Sequence, residues 1–314
     1  MTAADRISGI HHVTAIADGP AENVAFYTDV LGLRLVKQTV NFDDPSMYHL
    51  YYGNETGDPG TALTFFANGS MRPGQAGTGQ ATAIGFTVPP GTLDFWEDRL
   101  ADHGVDTDPI QERFDEHVLG LRDPDGQRLE LVTGTSDVEP WDAGPVPVEH
   151  AIRGFHSVTL QSADHTATVE VLETLGFEHV EDEGGRRRYR AAGSGAAVLD
   201  IRTDPAERGV PGAGTIHHVA VRAEDDQHQE VLAERVEELG LHVTDQKDRR
   251  YFRSVYFREP GGILFEIATD GPGFTRDESV DELGSSLRLP PWLEDRHEAI
   301  VDGLPPLAPP REAE

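Results

Sequence analysis

The stretch IHHVTAI at residues 10–16 is repeated as IHHVAV at residues 216–221, near the other end of the chain. Each stretch opens a unit with the pattern of a strand, a helix ending at a glycine, and further strands. Two weaker copies begin near residues 83 and 154. The interval from the aligned first-strand position to the helix-closing glycine is 20, 21, 20 and 22 residues in the four copies. A repeat of this kind indicates one supersecondary unit used several times. We therefore predict an α+β fold of four βαβββ modules.

The positions of the elements follow from hydrophobic periodicity and from the glycines that end helices. Helices are predicted at 21–31, 92–103, 165–175 and 225–239. Later strands are predicted in pairs, at 47–52 and 62–66, 118–122 and 128–132, 187–191 and 197–202, and 254–258 and 263–268.

The modules are predicted to form two domains. Residues 1–135 hold the first pair of modules, and residues 153–270 hold the second pair. Residues 136–152 are rich in proline and acidic residues, which is typical of a linker. Residues 271–314 are predicted to be a C-terminal tail with a short amphipathic helix at about 293–301. We expect this tail to pack on the body or to lie near the site.

The chain is strongly acidic, with 56 Asp and Glu against 26 Lys and Arg and a formal net charge of -30. Acidic residues occur in every segment, and this argues against nucleic-acid binding, which needs clustered cations. Lys37 and Lys247 are the only lysines. A surface poor in lysine and rich in acids suits a high-salt cytoplasm, where salt screens self-repulsion. We therefore predict a halophilic protein with no nucleic-acid partner.

The chain has no cysteine, which excludes disulfides, cysteine-ligated zinc and thiol nucleophiles. No signal-peptide pattern opens the sequence, and no apolar run approaches membrane-spanning length. We expect a cytoplasmic protein with no membrane partner. A homo-oligomer is a further expectation, although no interface can be identified from the sequence.

Alignment of the modules identifies one position in the first strand and one in the last strand of each. In chain order these are His12, Ala83, His156 and His218, and then Thr64, Glu130, Leu199 and Glu266. Pairing the first module with the fourth collects His12, His218 and Glu266. Pairing the second with the third leaves only Glu130 and His156, which we interpret as structural remnants of a lost site.

Two imidazoles and one carboxylate on one face of a metal leave the opposite positions open, the arrangement of non-haem Fe(II) oxygen chemistry. A His-His pair at a strand start is on its own more often structural, and a last-strand Glu is commonly solvated. The coincidence of ligand types at equivalent repeat positions favours a metal site, with Fe(II) expected and Mn(II) as the alternative. Neighbouring strand residues point to opposite faces, and the repeat register favours His12 and His218 over His11 and His217.

Further motifs extend over nearly the whole chain: VKQT at 36–39, YHLYY at 48–52, EHA at 149–151, RGFH at 153–156, REPGG at 258–262 after Tyr256, and GFTRDE at 273–278. Together with the repeats, they resemble the vicinal-oxygen-chelate superfamily of glyoxalases, bleomycin-resistance proteins and extradiol dioxygenases. Within it the resemblance is to hydroquinone ring-cleaving dioxygenases. It implies that the modules form curved, open, barrel-like sheets around a metal site.

The resemblance also implies roles for seven residues: Fe(II) ligands at His12, His218 and Glu266, second-sphere groups at His11 and His217, and contacts to substrate oxygen or oxygen-derived intermediates at Tyr256 and Arg249. From the residues alone, Tyr256 is equally consistent with a half-buried strand aromatic. Arg249 is also consistent with a solvated loop, and Arg250 could take its place. The arginines at 186–188, with Arg190, are interpreted as a solvated strand edge.

These observations predict an Fe(II)-dependent ring-cleaving dioxygenase that incorporates both atoms of O₂ into hydroquinone- or catechol-type phenols. Its partners are then a small aromatic substrate and O₂. A glyoxalase-type isomerase is one alternative, but it usually needs a second carboxylate, and Thr64 occupies that position. A non-catalytic binding or resistance module is the other alternative, and it has no need for a complete metal triad. The fold class does not decide among them.

Overall fold

The computed structural model describes residues 6–191 and 198–307. The first five residues of the predicted first domain, residue 197 of a predicted strand and the end of the predicted tail therefore lie outside the described residues. The first module contains β1 (Ile10–Ala17), α1 (Pro20–Ala25, continued by a π-helical turn at Phe26–Val30), β2 (Arg34–Val40), β3 (Tyr48–Gly53) and β4 (Ala62–Ala67). The second contains β5 (Gln80–Val88), α2 (Leu93–Asp102), β6 (Gln111–Arg113), β7 (Glu116–Arg122) and β8 (Arg128–Thr133).

The second half of the chain repeats this order. The third module contains β9 (Phe155–Gln161), α3 (His165–Leu175), β10 (Phe177–Glu183), β11 (Arg186–Ala191) and β12 (Val198–Arg202). The fourth contains β13 (Thr215–Ala223), α4 (Asp226–Glu238), β14 (Lys247–Asp248), β15 (Arg253–Arg258) and β16 (Leu264–Thr269). Three 3₁₀ turns (Phe274–Arg276, Val280–Glu282 and Glu294–Arg296) and α5 (His297–Gly303) follow. The predicted α+β fold of four βαβββ modules is confirmed.

The glycine that follows each module helix is required by the backbone. Gly32, Gly104, Gly176 and Gly240 have φ values of 72°, 71°, 98° and 80°. An L-residue with a side chain rarely adopts this left-handed conformation, which commonly ends helices. The spacing that revealed the repeat is therefore the spacing of four helix ends.

The modules form two eight-stranded sheets, with strand orders β14-β15-β16-β13-β1-β4-β3-β2 and β10-β11-β12-β9-β5-β8-β7-β6. The first module therefore shares a sheet with the fourth, and the second with the third. Each sheet takes one module from each half of the chain, and the domain bounds stay a prediction. The four strands that hydrophobic periodicity did not locate, β2, β6, β10 and β14, are the outermost strands of the two sheets.

Two buried turn carboxylates join the sheets. Asp123 follows β7 and accepts a hydrogen bond from Tyr27 Oη at 3.0 Å. Tyr27 lies on the π-helical turn that continues α1. Glu259 follows β15 in the equivalent turn of the other sheet and accepts one from Thr168 Oγ1 of α3, at 2.6 Å. In both cases the helical segment and the turn belong to different sheets. The two contacts therefore hold the sheets together in a pseudo-symmetric way.

The tail packs along β2, the outer strand of the first sheet. Gln38 binds it twice, since its carbonyl accepts from Arg288 N at 2.9 Å and its side chain donates to Gly284 O at 2.5 Å. Lys37 is fully buried and contacts Asp277, at 2.8 Å, and Glu278. The tail thus satisfies an edge that would otherwise have unpaired backbone groups. Among the described residues, no helix is long and apolar enough to span a bilayer.

The buried Asp123 should make stability depend on pH. Burial raises its pKa from 3.8 to about 6, against hydrogen bonds that lower it. The folded state therefore holds this proton more tightly than the unfolded state. The contribution of protonated Asp123 to the free energy of unfolding is present at low pH, and it is lost as the pH rises from about 4 to about 6. Asp123→Asn keeps an acceptor but cannot ionise, so its unfolding free energy relative to the parent should increase across this window by about 3 kcal/mol.

Denaturant unfolding of parent and variant on both sides of the window measures this difference. Asp98→Asn, at an exposed position on α2, is the control and should track the parent. A constant difference between Asp123→Asn and the parent at all pH values would contradict the prediction.

Candidate metal centre

Three neighbouring strands of the first sheet carry the predicted ligands. His12 lies on β1 opposite Ala220 of β13, and Ala220 pairs with Glu266 of β16, while His218 lies two residues before Ala220. All three ligand candidates are buried. His12 Nε2 is 3.3 Å from His218 Nε2 and 3.4 Å from Glu266 Oε2, and His218 Nε2 is 2.9 Å from the same oxygen. Among residues 6–191 and 198–307, this is the one group of three His, Asp or Glu ligand atoms that lie within 4.8 Å of one another.

The Glu266 carboxylate indicates that a cation fits between these side chains. Its Oε1 accepts a hydrogen bond from Ser254 Oγ, whereas its buried Oε2, which faces both imidazoles, receives no hydrogen bond of good geometry. Burial opposes ionisation, but His12 and His218 hold the pKa of Glu266 well below its usual value. Burial lowers the pKa of His218 and favours the neutral imidazole that binds metals. An ionised carboxylate with two imidazoles is a donor set for a divalent transition metal.

Each candidate ligand histidine contacts the histidine that precedes it. The Nδ1 atoms of His11 and His12 are 2.9 Å apart, and those of His217 and His218 are 2.8 Å apart. Burial, followed by the adjacent ligand histidine, lowers the pKa of both His11 and His217 to about 3. A neutral neighbour can accept the Nδ1 proton of the ligand, and the Nε2 atom of the ligand is then free for a metal.

Tyr256 and Arg249 lie together at the wall of the site. Arg249 Nε donates to Tyr256 Oη at 3.0 Å, and Arg249 Nη2 is 2.9 Å from Asp43 Oδ2. Burial, and then the ligand carboxylate, raise the pKa of Tyr256, so the phenol stays protonated. Arg250 lies towards Asp277, at 3.4 Å. Of the two arginines that the sequence left open, it is therefore Arg249 that reaches the site.

A cavity of about 370 Å³ opens beside the ligand candidates. Its apolar lining consists of Ile16, Phe42, Met47, Phe66, Met71 and Phe252. The volume is in the range of small-molecule sites, and a mostly apolar wall with a few polar groups is their usual composition. A larger and more open groove, of about 1510 Å³, lies against α1 and α2 and contains none of the ligand candidates.

Comparison with known proteins identifies the family. The family model described as the Glyoxalase/Bleomycin resistance protein/Dioxygenase superfamily matches residues 9–131 and 154–267. The chain belongs to this superfamily. It is 47% identical over 305 residues to the "Putative ring-cleaving dioxygenase MhqO" of Bacillus subtilis (strain 168), with 96% of this chain and 97% of that protein covered.

Two further similarities agree with this superfamily membership. The "Chlorohydroquinone/hydroquinone 1,2-dioxygenase" of Sphingobium indicum is 37% identical over 305 residues, which cover 94% of this chain and 95% of that protein. A crystal structure of a "putative dioxygenase" from Bacillus subtilis has a TM-score of 0.94 at 46% identity and covers 97% and 98% of the two chains. These relatives confirm the predicted family and the prediction of an oxidoreductase of the dioxygenase class.

Thr64, which stands in the first module at the repeat position of Glu266, belongs to a hydrogen-bonded chain. Thr64 Oγ1 lies 2.8 Å from Thr14 Oγ1 and 2.9 Å from His49 Nε2, and His49 Nδ1 lies 2.9 Å from Tyr51 Oη. His49 also lines the cavity. This histidine belongs to the YHLYY motif at 48–52, and sequence reasoning missed a role for it. The sequence did contain a signal for it: His49 lies two residues before Tyr51, and this spacing puts both side chains on one face of a strand.

Within the part of the chain that the structure describes, the second sheet does not assemble an equivalent site. Glu130 is buried and accepts hydrogen bonds from Arg113 at 3.2 and 2.5 Å. His156 Nε2 instead lies 2.9 Å from Glu116 Oε1. The two residues interpreted as remnants thus have separate partners. Glu130 accepts from the Arg113 guanidinium, and His156 pairs with the Glu116 carboxylate.

The interpretation of the arginine run as a solvated edge is wrong for two of its members. Arg188 is 2% exposed and donates to both oxygens of Asp200 at 2.9 Å. Arg186 is also largely covered and donates to Thr159 Oγ1 at 2.9 Å. Strand alternation puts Arg186 and Arg188 on one face of β11 and the exposed Arg187 on the other, whereas Arg190 is exposed near the end of the strand.

Metal binding should depend on the ligands of the first sheet alone. His218→Ala should weaken binding of Co(II) or Mn(II) by more than the roughly 10- to 100-fold typical of lost outer-sphere contacts, because it removes a ligand atom. His156→Ala changes the equivalent repeat position of the second sheet and is the matched control. Chelator competition measures the affinity. Equal losses in both variants would contradict the location of the site.

Proposed function

We propose that the protein is an extradiol-type ring-cleaving dioxygenase that uses Fe(II), with Mn(II) as the alternative ion, and acts on hydroquinone- or catechol-type phenols. The observation that carries the proposal is the convergence of His12, His218 and Glu266 beside a small, mostly apolar cavity. Two imidazoles and one carboxylate leave positions for a substrate and O₂. The names of the relatives support ring cleavage of a hydroquinone.

The residues of the chain have distinct tasks in this reaction. A bound metal ion supplies Lewis acidity and one-electron chemistry to the phenol and O₂. Tyr256 accepts from Arg249 and keeps its own proton, so it can donate that proton to a substrate oxygen. Arg249 holds a fixed positive charge where negative charge develops on oxygen. The apolar lining holds the ring and limits the entry of water. Both atoms of O₂ enter the product, so no other reductant is needed.

The geometry disfavours the two alternatives. An isomerase of the glyoxalase type would need a second carboxylate, and the hydroxyl of Thr64 at that position is committed to Thr14 and His49. A binding or resistance module would not need three buried ligands, each supported by a second residue. His11 and His217 support the two imidazoles, and Ser254 supports the carboxylate.

Oxygen uptake tests the proposed reaction. Protein loaded anaerobically with Fe(II) should consume one O₂ per hydroquinone or catechol and yield a ring-opened product, and it should not isomerise methylglyoxal–thiol adducts. His218→Ala should abolish the uptake, and His156→Ala should retain it. Isomerisation without O₂ uptake would identify the rival activity, and binding of phenols without turnover would indicate a binding module.

We further propose that the protein works in a cytoplasm of high salt concentration. The formal net charge is -30, and of the two lysines in the chain Lys37 is buried, so that Lys247 is the one lysine at the surface. An acidic surface of this kind repels itself at low ionic strength.

Stability should therefore increase with salt. The screening length falls from ~10 Å at about 0.1 M to ~3 Å at about 1 M salt, so the midpoint of thermal unfolding should rise by several degrees between these KCl concentrations. Scanning calorimetry measures it. A midpoint that stays constant or falls with KCl would contradict the proposal.

A further inference from the structure

The third and last strands of the first module pair in the same way as those of the fourth, so residues of the two modules can be matched across the site. Thr64 on β4 is opposite Tyr51 of β3, as Glu266 on β16 is opposite Tyr256 of β15. Two residues before each tyrosine stand His49 and Ser254. Thr64 therefore corresponds to Glu266, Tyr51 to Tyr256, and His49 to Ser254.

The corresponding residues make corresponding contacts. Ser254 Oγ donates to Glu266 Oε1, and His49 Nε2 lies 2.9 Å from Thr64 Oγ1. Ser254 thus supports Glu266 in the fourth module, and His49 supports Thr64 in the first. One pair consists of a small donor and a long carboxylate. The other pair consists of a large ring and a short hydroxyl, so the volume lost at position 64 is recovered at position 49.

His49 is held by two hydrogen bonds and two aromatic contacts. Its Nδ1 is 2.9 Å from Tyr51 Oη, and its ring centroid lies 4.1 Å from that of Tyr51 and 4.5 Å from that of Phe66. Its partner Thr64 is fully buried and is also 2.8 Å from Thr14. Side chains locked by packing and by two hydrogen bonds keep one geometry, which a preorganised site requires.

From these contacts, and resting on the proposed function, we propose that His49 is a positioning residue. It occupies the room that a second ligand carboxylate at position 64 would need, and it covers the uncharged, fully buried Thr64, which is not among the residues that line the cavity. A fourth protein ligand is thereby excluded, and the substrate meets a rigid surface formed by His49, Tyr51 and Phe66.

The first test removes the support. His49→Ser should lower kcat/KM at least roughly tenfold, as loss of supporting contacts commonly does, mainly through a higher KM, while Co(II) affinity stays within a factor of about three of the parent. His49→Gln keeps an amide group for Thr64 and should lie between the parent and His49→Ser. His117→Ser, at an exposed histidine of β7 on the other sheet, is the control. Unchanged kinetics in His49→Ser, or no recovery in His49→Gln, would overturn the proposal.

The second test transfers the pair from the fourth module to the first. The double variant His49→Ser with Thr64→Glu should bind Co(II) at least roughly tenfold more tightly than the parent, because a second carboxylate can reach the ion. Its Co(II) absorption spectrum should change, and its O₂ uptake should be lost. Thr64→Glu alone should show no gain in Co(II) affinity, since His49 fills the room.

The outcomes separate this inference from the proposed function. If Thr64→Glu alone binds Co(II) as tightly as the double variant, or if the double variant folds without a gain in affinity, His49 does not exclude the fourth ligand. If the parent consumes no O₂ with any phenol, the proposed function fails, while the Co(II) measurements still decide the role of His49. Thermal unfolding of each variant checks that it is folded.

Discussion

The antiparallel pairing of β1 with β13 is the contact on which the site depends. It joins two strands whose candidate ligands, His12 and His218, are 206 residues apart in the chain, and it places their Nε2 atoms 3.3 Å from each other. The next strand on the far side of β13, β16, contributes Glu266 in parallel register. Because His12, His218 and Glu266 all stand on the central strands of one sheet, their separations are set by backbone hydrogen bonds and not by loops. His11, His217 and the wall of the cavity are arranged around this pairing.

The two sheets show two ways to keep a carboxylate ionised in a buried place. In the first sheet Glu266 faces two imidazoles and has an unbonded oxygen, an arrangement that a divalent cation completes. In the second sheet Glu130 is at the equivalent position, and although burial opposes its ionisation, Arg113 holds its pKa at about 2. Burial and Arg113 in turn lower the pKa of Arg186 to about 10. A guanidinium attached to the chain thus does in one sheet what a metal ion can do in the other.

Sequence patterns located the elements that have a regular signal. The helices and the inner strands were placed within one to a few residues, since glycines with positive φ end the helices and apolar residues mark the inner strands. The outer strands were missed for physical reasons. β6 and β14 are only three and two residues long, and β10 is exposed along almost its whole length. β2 is buried, but partly by the tail, a contact between distant parts of the chain that local periodicity does not report.

The sequence by itself determined the number of modules, the ends of the helices and the candidate ligand residues, because each of these depends on residue identity and local spacing. Repeat alignment even favoured the pairing of the first module with the fourth. Only the tertiary structure decided which arginine reaches the site, where Arg188 is buried, and what His49 contacts. The choice between Arg249 and Arg250 depends on one residue with positive φ in a tight turn, at Arg250. The role of His49 depends on the register of β3 on β4. Such features arise when distant strands pair, and no local pattern in the chain encodes them.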